Sequence, residues 1–321
     1  MGGRRRRHRG PLLALAALVA LLAALVALAV SALGGHDAGS PASPAQATAS
    51  PPPASPQPRS PEAARAAVDL DEPPAFRLRF RHPPRAGLVF DLESGKALWQ
   101  RNARRRLPIA SLTKMMTAQL VAELTHARER VRITRAALGY RGSGVGRLPR
   151  GRRVPIEALL HGLLLPSGND AAIALAVHVS GSERRFVARM NRRARELGLT
   201  CTRFVSSHGL EAGNRSCSAD LAALARVNMG EYRIRRVVRK KLAVLRFPIK
   251  GGRLWLSNTN PLLRGGYPGT IGLKTGYTER AGRCLVAVVR RRGRTLGVVL
   301  LGSPDPGRQA RKLLNLAFRR G

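Results

Sequence analysis

The chain has 321 residues, enough for one large domain or two smaller ones with a buried core, and 4% aromatic content makes that core aliphatic. Its 57 Lys and Arg stand against 18 Asp and Glu, a net charge of +39. Nucleic acid, anionic lipid and an anionic wall polymer all fit that balance, and so does an arginine-rich habit spread over every exposed face, so charge alone names no partner.

The N-terminus, MGGRRRRHRG, carries five arginines and no acid, and Pro11 to Leu33 follows without a charged residue. That run is long enough to span a bilayer and longer than a usual signal-peptide core. With the arginines retained inside, the remainder is expected to be exported. An uncleaved signal anchor over residues 1–33 is favoured, although the small residues of ALAVSALGG also permit cleavage. Residues 34–76 are rich in Pro, Ala and Ser and read as a disordered tether. Three cysteines, Cys201, Cys217 and Cys284, leave an odd count. Export permits a Cys201–Cys217 disulfide, and buried free thiols are equally compatible.

From residue 77 to 321 the pattern is globular. AGLVFDLESGKALWQRN predicts a hairpin around ESG, and a helix is expected from about Ala110 to Thr125. PIEALLHGLLL predicts a helix over 155–165 that breaks at PSGND, after which AAIALAVHV starts another. In SERRFVARMNRRARELGL, the residues Phe186, Val187, Met190, Ala194 and Leu197 share one face opposite the arginines. GTIGLKTGY, CLVAVVRR and TLGVVLLG predict adjacent antiparallel strands, and GRQARKLLNLAF a closing amphipathic helix. Strands at both ends with helices between predict an α/β (α+β) fold, an antiparallel sheet built from both ends of the domain and flanked by helices.

Three short motifs carry the chemistry. In ASLTKMMTA, Ser111 and Lys114 lie three apart on one helical face. A serine hydroxyl needs a base, and a buried lysine can be one, because desolvation disfavours its ammonium form. The Ser111 backbone N–H would also lie near developing negative charge. S-x-x-K alone is weak, with about 0.4 chance matches expected. Ser167-Gly168-Asn169 offers a second hydroxyl for proton relay and an amide to hold lysine and substrate, but Ser and Asn equally suit a helix cap. Lys274-Thr275-Gly276 supplies a cation and a hydroxyl for a carboxylate, with glycine letting a ligand backbone lie against a strand; about 0.03 chance matches make it the most specific of the three. Each triplet occurs in the order, and in the helix, loop and strand setting, of penicillin-interacting serine enzymes.

The chain resembles the low-molecular-mass penicillin-binding proteins, serine-type D-alanyl-D-alanine carboxypeptidases of peptidase family S11. LESGKALWQRNARRRLPIASLTKMMTA, IEALLHGLLLPSGNDAAIALA, FVARMNRRARELGLTCTRF, NTNPLL and GLKTGYTERAGRCLVAVV carry the likeness over about residues 86–318. The resemblance implies a β-lactamase/transpeptidase-like fold and acyl transfer on the peptidoglycan pentapeptide, with Ser111 as nucleophile and Lys114 as base. Ser167 would pass the proton to the leaving group and Asn169 would position substrate. Lys274 and Thr275 would bind the terminal carboxylate, Gly276 would admit the ligand backbone, and the N–H groups of Ser111 and Tyr277 would form the oxyanion hole. It implies β-lactam antibiotics as covalent inhibitors, no cofactor and no metal. Many members continue into a β-rich second domain and a C-terminal anchor, whereas no second folded domain is expected here after Phe318, and Arg308 is the nearest candidate for an additional carboxylate-binding arginine.

Several alternatives are weighed against this. A D,D-endopeptidase would use the same site. A class A β-lactamase would need E-x-x-L-N after the second motif, and neither Glu183 nor Glu196 sits in one. An inactive exported basic scaffold fits the charge but not three intact motifs. No H-E-x-x-H occurs, and His161, His178 and His208 read as core or surface residues. Nucleic acid is not expected as a partner: the export segment opposes it, and the basic runs carry no aromatic platform. The expected location is the cytoplasmic membrane with the catalytic domain outside, or secretion if the leader is cleaved.

Overall fold

The computed structural model describes residues 60–146 and 148–320, so the Pro11–Leu33 span lies outside the described residues. Among the described residues, no helix is long and apolar enough to cross a membrane. The helices used below are α1 (Pro61–Ala66), α2 (Lys114–Leu124), α3 (Ile156–Leu164), α4 (Asn169–Ser180), α5 (Glu183–Glu196), α6 (Ser218–Gly230), α7 (Tyr232–Val238) and α8 (Pro306–Arg320). The strands are β1 (Ala86–Asp91), β2 (Ala97–Arg101), β3 (Leu242–Arg246), β4 (Arg253–Ser257), β5 (Thr270–Thr278), β6 (Gly282–Arg291) and β7 (Arg294–Ser303).

β1, β2 and the three C-terminal strands form one antiparallel sheet in the order β2-β1-β7-β6-β5, with Leu88 opposite Val299 and Leu285 opposite Thr275. The first and the last strand of the described chain, β1 and β7, therefore pair at the centre of the sheet. Side chains alternate across a strand, so each strand feeds two cores. Leu88, Phe90, Val286 and Val299 pack toward the helical body, whereas Val89, Leu285, Val298 and Leu300 pack with Leu313 and Leu314 of α8. Gly297 is needed there: a Cβ would lie 2.1 Å from the Phe90 ring. In α5, Phe186, Met190 and Ala194 turn inward. The first turns of α4 are buried on every side, as expected of a helix that is apolar all round.

Two expectations are corrected. Residues 60–76 were expected to belong to the tether, yet α1 docks on the body. Ser60 caps it, Ala63 and Ala66 are buried, Glu62 pairs with Arg193 at 2.6 Å, and Phe76 is buried in the α8 core. Two alanines on one helical face and a Pro at the first turn suffice to dock so short a helix. The helix expected from Ala110 begins instead as a 3-10 turn, Ala110–Thr113, with α geometry only from Lys114. Ala110 has φ +48, outside the α region, so an α-helix cannot start there.

Candidate active site

Ser111 and Lys114 thus meet through a tight 3-10 turn. Thr113 Oγ1 donates to Ala110 O at 2.8 Å, and Ile109 N donates to Asn214 O at 3.2 Å. Gly209, at φ +90, packs on this turn so closely that a Cβ would sit 2.0 Å from Ala110 O. Lys114 Nζ lies 3.1 Å from Ser111 Oγ and donates to Asn169 Oδ1 at 2.7 Å and to His208 O at 2.8 Å. A neutral amine has two hydrogens and one lone pair. With both hydrogens taken by Asn169 and His208, the lone pair is left for the serine hydroxyl. Lys114 is wholly buried, and its pKa is pushed well below the ordinary lysine value, first by desolvation and second by the charge of Lys274. A buried amine with a lowered pKa beside a hydroxyl has the chemistry that a general base needs.

The Ser-Gly-Asn stretch joins α3 to α4. Asn169 opens α4, and its Nδ2 donates to Arg141 O at 2.5 Å, which orients its Oδ1 toward Lys114. Asp170 ties down the preceding loop by accepting from Val145 N at 2.8 Å and Gly146 N at 3.0 Å. Ser167 is buried at φ +69, and its hydroxyl has no partner among the described residues. A left-handed backbone with an unpaired hydroxyl does not fit a helix cap, whose side chain would accept from a backbone N–H. No hydrogen bond joins Ser167 to Lys114 in this structure.

β5 is the edge strand of the sheet and runs against the Ser111 turn. A Cβ on Gly276 would come to 3.0 Å from both Ile109 O and Ser111 N, tighter than ordinary contact with backbone on both sides, so glycine suits this approach. Lys274 is buried and donates to Thr275 O at 2.9 Å; desolvation lowers its pKa to about 7. Thr275 Oγ1 meets Thr259 Oγ1 at 2.6 Å, and Tyr277 is exposed at the end of the strand. Of the sequence-predicted residues, Ser111, Lys114 and Asn169 are joined by hydrogen bonds, Gly276 packs on the Ser111 turn and the charge of Lys274 is felt at Lys114, whereas among the described residues no side-chain hydrogen bond ties Ser167 or Tyr277 to them. Arg308 is exposed at the start of α8, where its backbone N–H donates to Asp305 Oδ1 at 2.9 Å, and among the described residues no hydrogen bond or ion pair links its side chain to the site.

Sequence reasoning missed the far wall. The loop from Cys201 to Cys217 supplies His208 O to Lys114 and Ser207 O to Thr117 at 2.6 Å, and a Cys201–Cys217 disulfide closes it. Of the two states open for these cysteines, the structure has the disulfide, while Cys284 is a buried free thiol. Glu183 accepts from Ser207 N at 2.9 Å and Ser207 Oγ at 2.6 Å, so this acid holds the loop. Cys201, Cys217 and Asp220 have metal-ligand proximity among the described residues, but the two sulfurs are bonded to each other and do not serve as thiolate ligands in this state.

The family model described as Peptidase S11, D-alanyl-D-alanine carboxypeptidase, matches residues 81–305. The chain belongs to this family. It is 34% identical over 246 residues to D-alanyl-D-alanine carboxypeptidase DacF of Bacillus subtilis, covering 74% of this chain and 62% of that protein. It is 36% identical over 254 residues to DacC of Escherichia coli, covering 73% of this chain and 61% of that protein. The chain thus spans about 60% of the length of these curated relatives. Among solved structures, the Streptomyces K15 DD-transpeptidase superposes with a TM-score of 0.71 at 31% identity, covering 76% of this chain and all of the other. A D-alanyl-D-alanine carboxypeptidase of Mycobacterium tuberculosis gives 0.72 at 32%, covering 78% and 96%. The family's α+β fold of helices around an antiparallel sheet is the one described above.

Proposed function

We propose that this S11 protein is a serine-type D-Ala-D-Ala carboxypeptidase that trims the terminal D-alanine from peptidoglycan stem peptides. Neutral Lys114 takes the Ser111 proton as Oγ attacks the carbonyl of the D-Ala–D-Ala bond. The proton then passes by way of Ser167 to the departing amine, D-alanine leaves, and water hydrolyses the acyl-serine. Lys274 and Thr275 hold the terminal carboxylate, and Asn169 holds Lys114 and the substrate amide. The substrate backbone lies along the β5 edge at Gly276, with its carbonyl oxygen between the N–H groups of Ser111 and Tyr277. β-Lactams would acylate Ser111 by the same route. The catalytic domain would work outside the cytoplasmic membrane, held by the N-terminal segment, or be secreted if that segment is removed.

The observation that carries this proposal is the buried Lys114 amine, with Asn169 and His208 occupying its hydrogens and Ser111 Oγ 3.1 Å away. The test is D-alanine release from a diacyl-L-Lys-D-Ala-D-Ala tripeptide by the full chain. Ser111→Ala and Lys114→Ala should abolish release, and undiminished release by Ser111→Ala would refute the assignment. A second outcome for the acyl-enzyme, transfer to an amine, draws support from the DD-transpeptidase title of the Streptomyces neighbour. It is read by adding an amino acceptor and measuring the transfer product beside D-alanine.

A further inference from the structure

The β3–β4 hairpin buries one face and exposes the other. Ala243, Leu254 and Leu256 turn into the core. Outward, Val244 lies opposite Trp255 and Arg246 opposite Arg253, with Leu242 at the end of the same row. Leu242, Val244 and Trp255 are 48%, 41% and 63% exposed, a contiguous apolar stripe on a face that no element covers among the described residues. Two arginines directly opposite each other are repulsive unless an anion lies between them. Both also line a cavity of about 450 Å³, together with Arg130 and Phe247. Lys240 and Lys241 immediately precede β3, Lys250 lies in the turn between β3 and β4, and no acidic residue occurs between Glu231 and Glu279, although Lys240 Nζ lies 3.3 Å from His161 Nε2. None of Lys240, Lys241, Arg246, Lys250 and Arg253 forms an ion pair among the described residues.

We infer that this hairpin face docks on an anionic phospholipid surface, with Trp255, Val244 and Leu242 entering the headgroup region and Arg246, Arg253 and Arg130 holding lipid phosphates. Tryptophan beside cations is the composition that suits a membrane–water interface, where one part of the side chain is apolar and another is wet. A soluble polyanion would account for the arginines but leave the apolar stripe without a partner. β4 runs directly on to Thr259, whose hydroxyl meets Thr275, so docking through this hairpin would set the height of the active site above the bilayer.

The experiment uses the full chain with vesicles of phosphatidylglycerol or of phosphatidylcholine, each with and without doxyl-labelled lipid. Trp99 is buried, so the difference between wild type and Trp255→Phe isolates the Trp255 emission. Expected is a blue shift and loss of Trp255 emission to the doxyl lipid in phosphatidylglycerol, weaker in phosphatidylcholine and reversed by salt. The Arg246→Glu/Arg253→Glu variant should lose this quenching while Ser111 still labels with penicillin. Unchanged Trp255 emission on phosphatidylglycerol would overturn the inference. So would full quenching in the double variant, which would assign membrane contact to other segments. A blue shift with soluble polyphosphate but no doxyl quenching would overturn it in favour of a polymer-binding face.

Discussion

Replacing Lys274 by methionine should abolish substrate binding and yet make the protein more stable. The Lys274 amine is wholly buried and titrates at about 7 in the fold against an ordinary 10.5. At 1.36 kcal/mol per tenfold, keeping that amine in the folded state at pH 7 costs on the order of 4–5 kcal/mol. Methionine fills a similar volume without a charge, but it forfeits the hydrogen bond to Thr275 O, worth about 1 kcal/mol. A net gain of about 3 kcal/mol follows, or roughly 6–12 °C in Tm for a domain of this size. The sign reverses the usual case of a salt-bridged lysine. Between about 7 and 10.5 the unfolded chain holds the Lys274 proton and the folded chain does not, so wild-type stability rises with pH across that window. The advantage of Lys274→Met should therefore be largest at pH 7 and below, and shrink to under about 1 kcal/mol by pH 10. Thermal melts of both proteins at pH 6, 7, 8.5 and 10 read this directly. A variant less stable than wild type at pH 7, or an advantage that does not shrink with pH, would refute the reasoning.

Asn169→Ala removes one of the two acceptors that hold Lys114, and penicillin acylation should slow about 10- to 100-fold, in line with a lost hydrogen bond to a lysine amine; an unchanged rate would show that Asn169 does not set the base. Cys201→Ser/Cys217→Ser opens a loop of sequence separation 16, for which about 3 kcal/mol of stability should be lost. Melting curves should fall by roughly 6–12 °C, and wild type in reductant should match the variant. Gly209→Ala forces a Cβ to 2.0 Å from Ala110 O at φ +90. It should destabilise the fold by about 3 kcal/mol or more and slow acylation by displacing the Ser111 turn; wild-type melting and labelling would contradict the assigned packing.

The side chains of the site were legible because its three motifs are local in sequence and sit at element boundaries marked by apolar periodicity. The sheet was legible too, since β5, β6 and β7 are short apolar runs separated by turns. What escaped was carried by backbone. His208 O and Ser207 O hold Lys114 and Thr117, and a carbonyl has no residue signature. The 3-10 start at Ala110 depends on Asn214 and Gly209, a hundred residues away in sequence, and local helical propensity cannot report it. Thr259 was visible within NTNPLL but became a partner of Thr275 only when the segment after β4 was placed against β5. The α1 segment was hidden by its composition: proline and alanine suit a tether and a capped single-turn helix alike, and burial of Ala63 and Ala66 decides between them.

The most direct test of the account is covalent labelling. The full chain is incubated with a labelled penicillin, digested and mapped by mass spectrometry, with Ser111→Ala alongside. A single adduct on the peptide carrying Ser111, absent from the variant and slow to hydrolyse, is the predicted result. A folded chain that takes no label, or one labelled equally after Ser111→Ala, would contradict it.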